Sequence, residues 1–155
     1  MSFDQAAVIA LRDALVSHAK KLGIFERVNG HEPKSKPGNG MSCAIWAQEI
    51  RPLPQASGMG ATSGYVIWHS RSMINMLREP QDDIETDLMY ANTTLLGEYS
   101  GNFTLGSSVR NIDLLGMYGE SLSMQAGYLD IDRVFYRVAT VVLPMVINDL
   151  WTQVG

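Results

Sequence analysis

The chain has 155 residues and a mass of 17.1 kDa, the size of one ordinary globular domain, so residues 1 to 155 are expected to form a single unit. Apolar residues make up 46% of it and charged residues 18%, which excludes a disordered or low-complexity protein and predicts a packed core. The formal charge of −4 excludes the broad basic surface of a specific nucleic-acid-binding domain. No segment approaches the roughly 20 apolar residues of a membrane span, and the N-terminus lacks the apolar run of a signal peptide.

The first predicted element is an amphipathic helix over residues 3 to 21. Ser2 and Gln5 have the spacing of a capping box, and Gly23 is placed to end the helix. Apolar side chains recur at spacings of three and four, which gathers them on one face that packs against the rest of the domain: Ala7, Val8, Leu11, Leu15, Ala19 and Leu22.

A short strand and a loop are predicted next. Residues 24 to 28 form an apolar run, and Asn29-Gly30 directly after them is typical of a tight hairpin turn. Residues 31 to 40 hold two prolines, two glycines and two lysines but no large apolar residue. We therefore expect an exposed loop or hairpin arm there.

The middle of the chain predicts two strands joined by a long connection. Residues 43 to 50 are apolar at odd and even positions, as in a central strand. The lone Cys43 within them can form no internal disulfide and is expected to be a small buried residue, which favours a reducing cytosol. Residues 52 to 64 are rich in proline and glycine and predict a mobile loop, whereas residues 64 to 69 are strongly β-prone and residues 70 to 77 extend the strand or lead it to an edge.

A second helix is predicted over residues 82 to 99, because five acids around Pro80 precede apolar residues at helical spacing and suit the positive end of the helix dipole. Residues 109 to 115 and 121 to 128 then predict two shorter strands separated by glycines.

The last predicted element is a strand over residues 136 to 147, apolar on both faces from Val138 onward. One face can pack on a helix, whereas the other needs a second layer or another subunit. Pro144 has no N–H for the ladder, so the strand is expected to lie at a sheet edge or to contain a bulge there. Internal burial and self-association are the two ways of covering so apolar a strand.

The combined elements predict an α+β fold, with a mixed, mainly antiparallel sheet packed with an N-terminal helix and a mid-chain helix, and with long exposed loops.

Charge is distributed unevenly along the chain. Residues 1 to 70 hold seven basic and five acidic side chains, and residues 71 to 155 hold five and eleven. In a head-to-tail assembly this asymmetry would set a basic loop against a neighbour's acidic face, whereas two unrelated solvated surfaces are the simpler alternative.

The sequence contains no constellation of catalytic residues. It has no phosphate-binding loop or dinucleotide fingerprint, and its three histidines lie in three different predicted elements. Asp130 and Asp132 could share a cation but have no further ligands nearby. We therefore assign no catalytic, cofactor-binding or metal-ligating residue, and we expect that the protein is not an enzyme.

Segments along most of the chain carry a resemblance: the helix Leu11–Leu15 running into residues 23 to 28, the strands of Trp46 and Trp68 on either side of a loop rich in proline and glycine, and residues 127 to 132 leading into a final strand that ends near Trp151. This order of elements resembles the tail terminator family of long-tailed bacteriophages. In that family an N-terminal helix precedes a mixed sheet that is crossed by a second helix.

The resemblance implies a homo-hexameric ring that ends polymerisation of the tail tube and gives the head completion or connector protein a docking surface. The implied partners are the chain itself, the tail tube protein and the head connector, with no membrane. DNA would pass through the ring without specific binding. The implied location is the virion, at the head–tail interface, and the host cytoplasm during assembly. The family has no catalytic residue set.

Ring closure would bury the final strand, in which Val142 and Met145 are the candidate subunit-interface residues. The loops 31 to 41 and 52 to 64 are candidates for reaching a neighbour, the tube or the connector. Lys34 and Lys36, within the first of these loops, are expected to face an acidic surface of another subunit.

Two alternatives stay open. Another head–tail joining protein, such as a head completion or stopper protein, or a minor tail protein, would share the size, acidity and element types of this chain. A small-ligand-binding or enzymatic α+β domain would build its site from dispersed residues that leave no spacing signature, for example Tyr65, His69, Asp130 and Arg133.

Overall fold

The structure is a computed structural model that describes residues 4–31, 40–77, 81–106 and 109–153. Within these ranges two helices pack on one face of a six-stranded sheet, in which one strand pair is parallel and the others are antiparallel. The predicted α+β fold, with an N-terminal and a mid-chain helix, is confirmed. Lys34 and Lys36 lie outside the described residues.

The first helix, α1, spans Gln5–Lys21. Its N-cap is Asp4, whose carboxylate accepts a hydrogen bond from the N–H of Ala7 at 3.0 Å. Ser2, the predicted cap, lies outside the described ranges, and an aspartate also suits the positive end of the helix dipole. Gly23 adopts a φ of +68° and ends the helix as predicted.

The strand after α1 is not part of a hairpin. β1 spans Arg27–Asn29 and β2 spans Ser42–Pro52, and the two strands pair in parallel, with Arg27 opposite Ser42. Neither Asn29 nor Gly30 adopts a positive φ. The prediction of a tight hairpin turn is therefore wrong, because parallel strands need a longer crossover connection.

β3 spans Ala61–Asn75 and pairs antiparallel with β2 along most of its length. The connection between them covers residues 53 to 60 and includes the 3-10 turn Pro54–Ala56, so it is shorter than the predicted loop 52 to 64, whose last residues belong to β3. The hydroxyl of Ser57 donates to the carbonyl oxygen of Leu53 at 2.7 Å, and that of Ser63 donates to the carbonyl of Ala56 at 2.8 Å. These side-chain hydrogen bonds take the place of strand-to-strand backbone bonds and fix the backbone of the connection.

The second half of the chain supplies a helix and three strands: a 3-10 turn Gln81–Asp83, then α2 at Ile84–Gly101, β4 at Asn111–Ile112, β5 at Ser123–Ile131 and β6 at Val134–Thr152. The predicted helix 82 to 99 is confirmed within two residues at each end. The strand predicted over residues 109 to 115 is much shorter in the structure, where only the two residues of β4 are extended and paired. The order across the sheet is β1-β2-β3-β6, and both β4 and β5 pair with the far side of β6.

β6 is an inner strand rather than an edge, which corrects the prediction drawn from Pro144. The carbonyl oxygen of Pro144 accepts from the N–H of Asp113, and its missing N–H lies on the same side, between β5 and β4. The proline therefore interrupts no pairing. The irregular position of β6 is instead Asp149, with a φ of +52°, where the register with β3 shifts.

The main core lies between the helices and one face of the sheet. It contains α1 side chains, α2 side chains and alternate residues of the three long central strands: Leu11, Leu15, Leu95, Tyr99, Cys43, Trp68, Val141, Leu143 and Met145. Cys43 is fully buried, and burial raises the pKa of its thiol to about 12. The prediction of a small buried cysteine is confirmed. The opposite face of the sheet has no α-helix on it within the described residues.

Candidate functional site

The candidate site lies on the face of the sheet that points away from the helices, here called the open face. Its middle is formed by two cross-strand rows in which each residue is paired with its neighbour in the next strand. One row is Trp46, His69 and Val142, and the other contains Arg71, Thr140 and Gln125. All of these side chains are half-buried except that of Gln125, which is exposed.

Arg71 is the cation at the centre of the open face. Its Nε donates to Thr140 Oγ1 at 3.0 Å, and its guanidinium carbon lies 5.2 Å from the centroid of the Trp46 ring. No ion pair joins Arg71 to a carboxylate in the described part of the chain. The guanidinium is therefore held in place by a hydroxyl and an aromatic face while most of its five N–H donors remain available.

Two aromatic side chains flank this cation. The indole N–H of Trp46 donates to Gln48 Oε1 at 3.1 Å, and the ring of His69 meets Trp46 edge-on at a centroid distance of 5.7 Å. Burial lowers the pKa of His69, the charge of Arg71 lowers it further, and Glu120 opposes both. His69 is thus neutral at neutral pH and adds a polar ring rather than a second charge.

An open groove of about 330 Å³ runs across β3, β6 and β5 beside Arg71. Gly127, on the β5 side of the groove, leaves part of it empty. A Cβ atom at this position would meet only Val138 Cγ2, at the ordinary contact distance of 3.8 Å. The groove therefore has room for at least a Cβ atom at position 127.

A buried hydrogen-bond cluster closes one end of the open face. The hydroxyl of Tyr65 lies 2.7 Å from Asp113 Oδ2, and the Asp113 carboxylate accepts from the N–H groups of Met117 and Tyr118 at 2.8 and 2.9 Å. Burial raises the pKa of Tyr65, and the bond to Asp113 raises it further. Because every group in it has a protein partner, this cluster fixes the segment after β4 rather than presenting a reactive group.

The structure does not bring together the dispersed residues of the ligand-binding alternative. Tyr65 is paired with Val146 and Asp130 with Phe135, eleven positions apart along β6, which is about 36 Å at roughly 3.3 Å per residue. Arg133 lies in the turn beyond β5. Within the described ranges no group of three or more His, Cys, Asp or Glu side chains could hold a metal ion.

The predicted interface residues fall in different places. Val142 lies half-buried on the open face, next to His69. Met145 is fully buried in the chain's own core, so its side chain offers no surface to a second subunit in this fold. Arg71 and Thr140 are not recognisable as site residues from the sequence, because only the cross-strand register shows that they are neighbours.

The arrangement provides a fixed cation on an open sheet face, which suits recognition of another molecule better than bond-breaking chemistry. No helix in the described part of the chain is long and apolar enough to cross a membrane. No protein-family model matches this sequence, and a search of curated proteins finds no match either.

Proposed function

We propose that this chain is a structural virion protein, a tail terminator that assembles into a ring, ends polymerisation of the tail tube and provides the docking surface for the head connector. The proposal starts from the resemblance in element order: an N-terminal helix, a mixed sheet, and a second helix packed across that sheet. It assigns the protein no enzymatic role, because its work would be done by surfaces.

The observation that carries the proposal is the one-sided packing of the sheet. Both helices cover the same face, and the opposite face keeps Trp46, His69 and Val142 half-buried with no second layer over its middle in the described residues. A sheet face of this kind is normally covered by another layer or by another subunit. Self-association would supply that cover.

A second exposed apolar surface supports a protein with several partners. Leu115 is 93% exposed and Met117 80% exposed, and together with Phe103 they line a cavity of about 390 Å³ at the β4 end of the sheet. Clustered apolar groups in water favour a protein–protein contact. A terminator needs lateral contacts and two axial ones, so separate surfaces of this kind fit its task.

Tube-length measurement tests the proposed function. Tubes polymerised from the tail tube protein of the phage that carries this gene would be imaged with and without the purified chain. We expect a cap at one end of each tube and growth that stops once the cap has bound. Tubes that lengthen at the same rate and show no cap would overturn the proposal.

The same preparation separates the nearest alternative. A head completion or stopper protein would bind DNA-filled heads and leave free tube ends unoccupied. We therefore expect the labelled chain to sediment with tubes in the absence of heads. Sedimentation with heads alone would reassign the chain to that class of joining protein.

A further inference from the structure

The cation on the open face has no anion within the described residues. Arg71 is half-buried, so part of its hydration is lost, and an unpaired charge in such a position is unfavourable unless a partner arrives. The side chains around it, from Trp46 of β2, His69 of β3, Thr140 of β6 and Gln125 of β5, carry no negative charge. Glu120 acts on His69 through its charge but forms no ion pair with Arg71. The site therefore favours a carboxylate.

The shape of the groove favours a protein side chain over a small molecule. The groove of about 330 Å³ lies open along the sheet surface, whereas small-molecule sites enclose most of the ligand. The empty position at Gly127 leaves room for a side chain that enters from above the sheet. A protruding acidic residue of another protein molecule meets both requirements.

An acidic turn of matching charge lies on the other side of this molecule. Asp82 and Asp83 belong to the turn Gln81–Asp83, are exposed, and form no ion pair in the described part of the chain. Ile84, directly after them, belongs to the same buried cluster as Ala139, on the helix-covered face of the sheet. The turn and the groove are thus on opposite faces, so no single molecule can join them.

We propose that the groove beside Arg71 receives the acidic turn Gln81–Asp83 of a second copy of this chain, with a carboxylate of Asp82 or Asp83 pairing with the guanidinium. The contact joins two different surfaces on opposite faces, so it repeats head to tail and closes into a ring when the rotation allows. It would form the lateral interface of the ring, so the inference rests on the proposed function.

Mixing of two charge-reversed variants tests the contact. Arg71→Glu removes the groove's cation, and the double variant Asp82→Arg/Asp83→Arg reverses the turn. Each variant alone should lose the oligomer at concentrations where the wild type is assembled, with association at least about tenfold weaker. A 1:1 mixture should assemble again, because each protein keeps one native surface and the two reversed surfaces complement each other.

Two further variants serve as matched tests. Gly127→Val adds apolar bulk to the groove without changing any charge, at a position where an added Cβ atom makes only an ordinary contact, so it should also abolish assembly. Arg27→Glu makes the same charge change at an exposed position outside both the groove and the cavity beside Leu115, and it should assemble like the wild type. Thermal unfolding of all variants checks that each is folded before its mass is measured.

Each failure has a distinct meaning. Assembly of Arg71→Glu at the wild-type concentration overturns the contact and leaves the ring proposal standing. Loss of assembly in Arg71→Glu and Gly127→Val, but not in the reversed turn, overturns the acidic turn as the occupant. A wild-type chain that neither assembles nor caps tubes overturns both the contact and the proposed function.

Discussion

At the scale of single residues, the imidazole of His18 packs against the core, and one of its ring nitrogens has no hydrogen-bond partner among the described residues. His18 stacks on the fully buried Tyr99, with ring centroids 4.6 Å apart and planes 15° apart. Neither His18 Nδ1 nor the Tyr99 hydroxyl has a hydrogen-bond partner in the described residues. Burial lowers the pKa of His18, Glu98 opposes the shift and Lys21 adds to it. The folded state therefore favours the neutral ring.

This shift predicts a pH-dependent loss of stability. The unfolded chain protonates His18 near its ordinary pKa of 6.5, whereas the folded chain resists protonation until a lower pH. The free energy of unfolding should therefore fall as the pH drops below 6.5, and His18 should contribute no slope well above it. Urea unfolding at pH 7.5 and 5.5 measures the change. His18→Phe keeps the stacking and should reduce the slope, and equal slopes for both proteins would contradict the prediction.

A second prediction at the residue scale concerns the Asp113 carboxylate. Replacement by Ala removes the acceptor of two backbone N–H groups and of the Tyr65 hydroxyl, which lie in a buried cluster. Asp113→Ala should destabilise the fold by about 2 to 4 kcal/mol, because several donors lose their acceptor. Tyr65→Phe removes one of these bonds, together with the bond that the hydroxyl accepts from the N–H of Glu120, and should cost about 1 to 2 kcal/mol. An Asp113→Ala variant no less stable than Tyr65→Phe in denaturant unfolding would show that the cluster does not hold the segment.

At the scale of elements, the β5–β6 hairpin turns through an aspartate, which tolerates the turn conformation, and an arginine, which is poorly suited to it. Asp132 and Arg133 both have positive φ values, 52° and 68°, as the central residues of a type I′ turn do. Glycine adopts this conformation without steric cost, whereas other residues are strained by roughly 1 to 2 kcal/mol each.

Arg133→Gly should therefore raise the free energy of unfolding by about 0.5 to 1 kcal/mol, since relief of strain exceeds the added entropy of the unfolded chain. Arg133→Ala removes the same charge but keeps the positive φ, so it is the matched control and should give no gain. Denaturant midpoints of the three proteins measure the difference. A gain of equal size in both variants would point to charge rather than backbone strain.

Both helices and the long strands were predictable because their apolar residues repeat over many positions, as at Leu11 and Leu15 or along Val138 to Ile147. The connections between these elements were not predictable from the sequence. Asn29-Gly30 has the composition of a hairpin turn but lies in a parallel crossover, and the serines that order residues 52 to 64 act through hydroxyl bonds that no periodicity shows. The open face escaped prediction because it joins side chains from four strands through a register that the sequence does not specify.

At the scale of the whole molecule, the proposed contact joins opposite charges from opposite faces of the sheet, although all of them come from residues 71 to 155, the acidic part of the sequence. The cation Arg71 lies on the open face, whereas the acids Asp82 and Asp83 lie on the helix side. A head-to-tail contact would bring the two together. Such a contact between partly exposed charges should weaken with salt, since the screening length falls from about 10 Å at 0.1 M to about 3 Å at 1 M ionic strength.

The salt prediction can be checked by sedimentation velocity. The fraction of assembled protein should fall steadily between 0.05 and about 1 M sodium chloride at constant protein concentration. Arg27→Glu should follow the wild-type curve because the residue lies outside both the groove and the cavity beside Leu115. An assembly whose mass is the same at both ends of this salt range would show that apolar contacts, rather than the charge pair, hold the subunits together.

The most direct test of self-association is the native mass of the purified chain over a wide range of concentration at low salt. We predict one discrete closed species, near six times the 17.1 kDa chain if the ring has the size that the resemblance implies, with a central opening in negative-stain images. A monomer at every concentration, or an open series of filaments without a preferred length, would contradict a closed ring built from these surfaces.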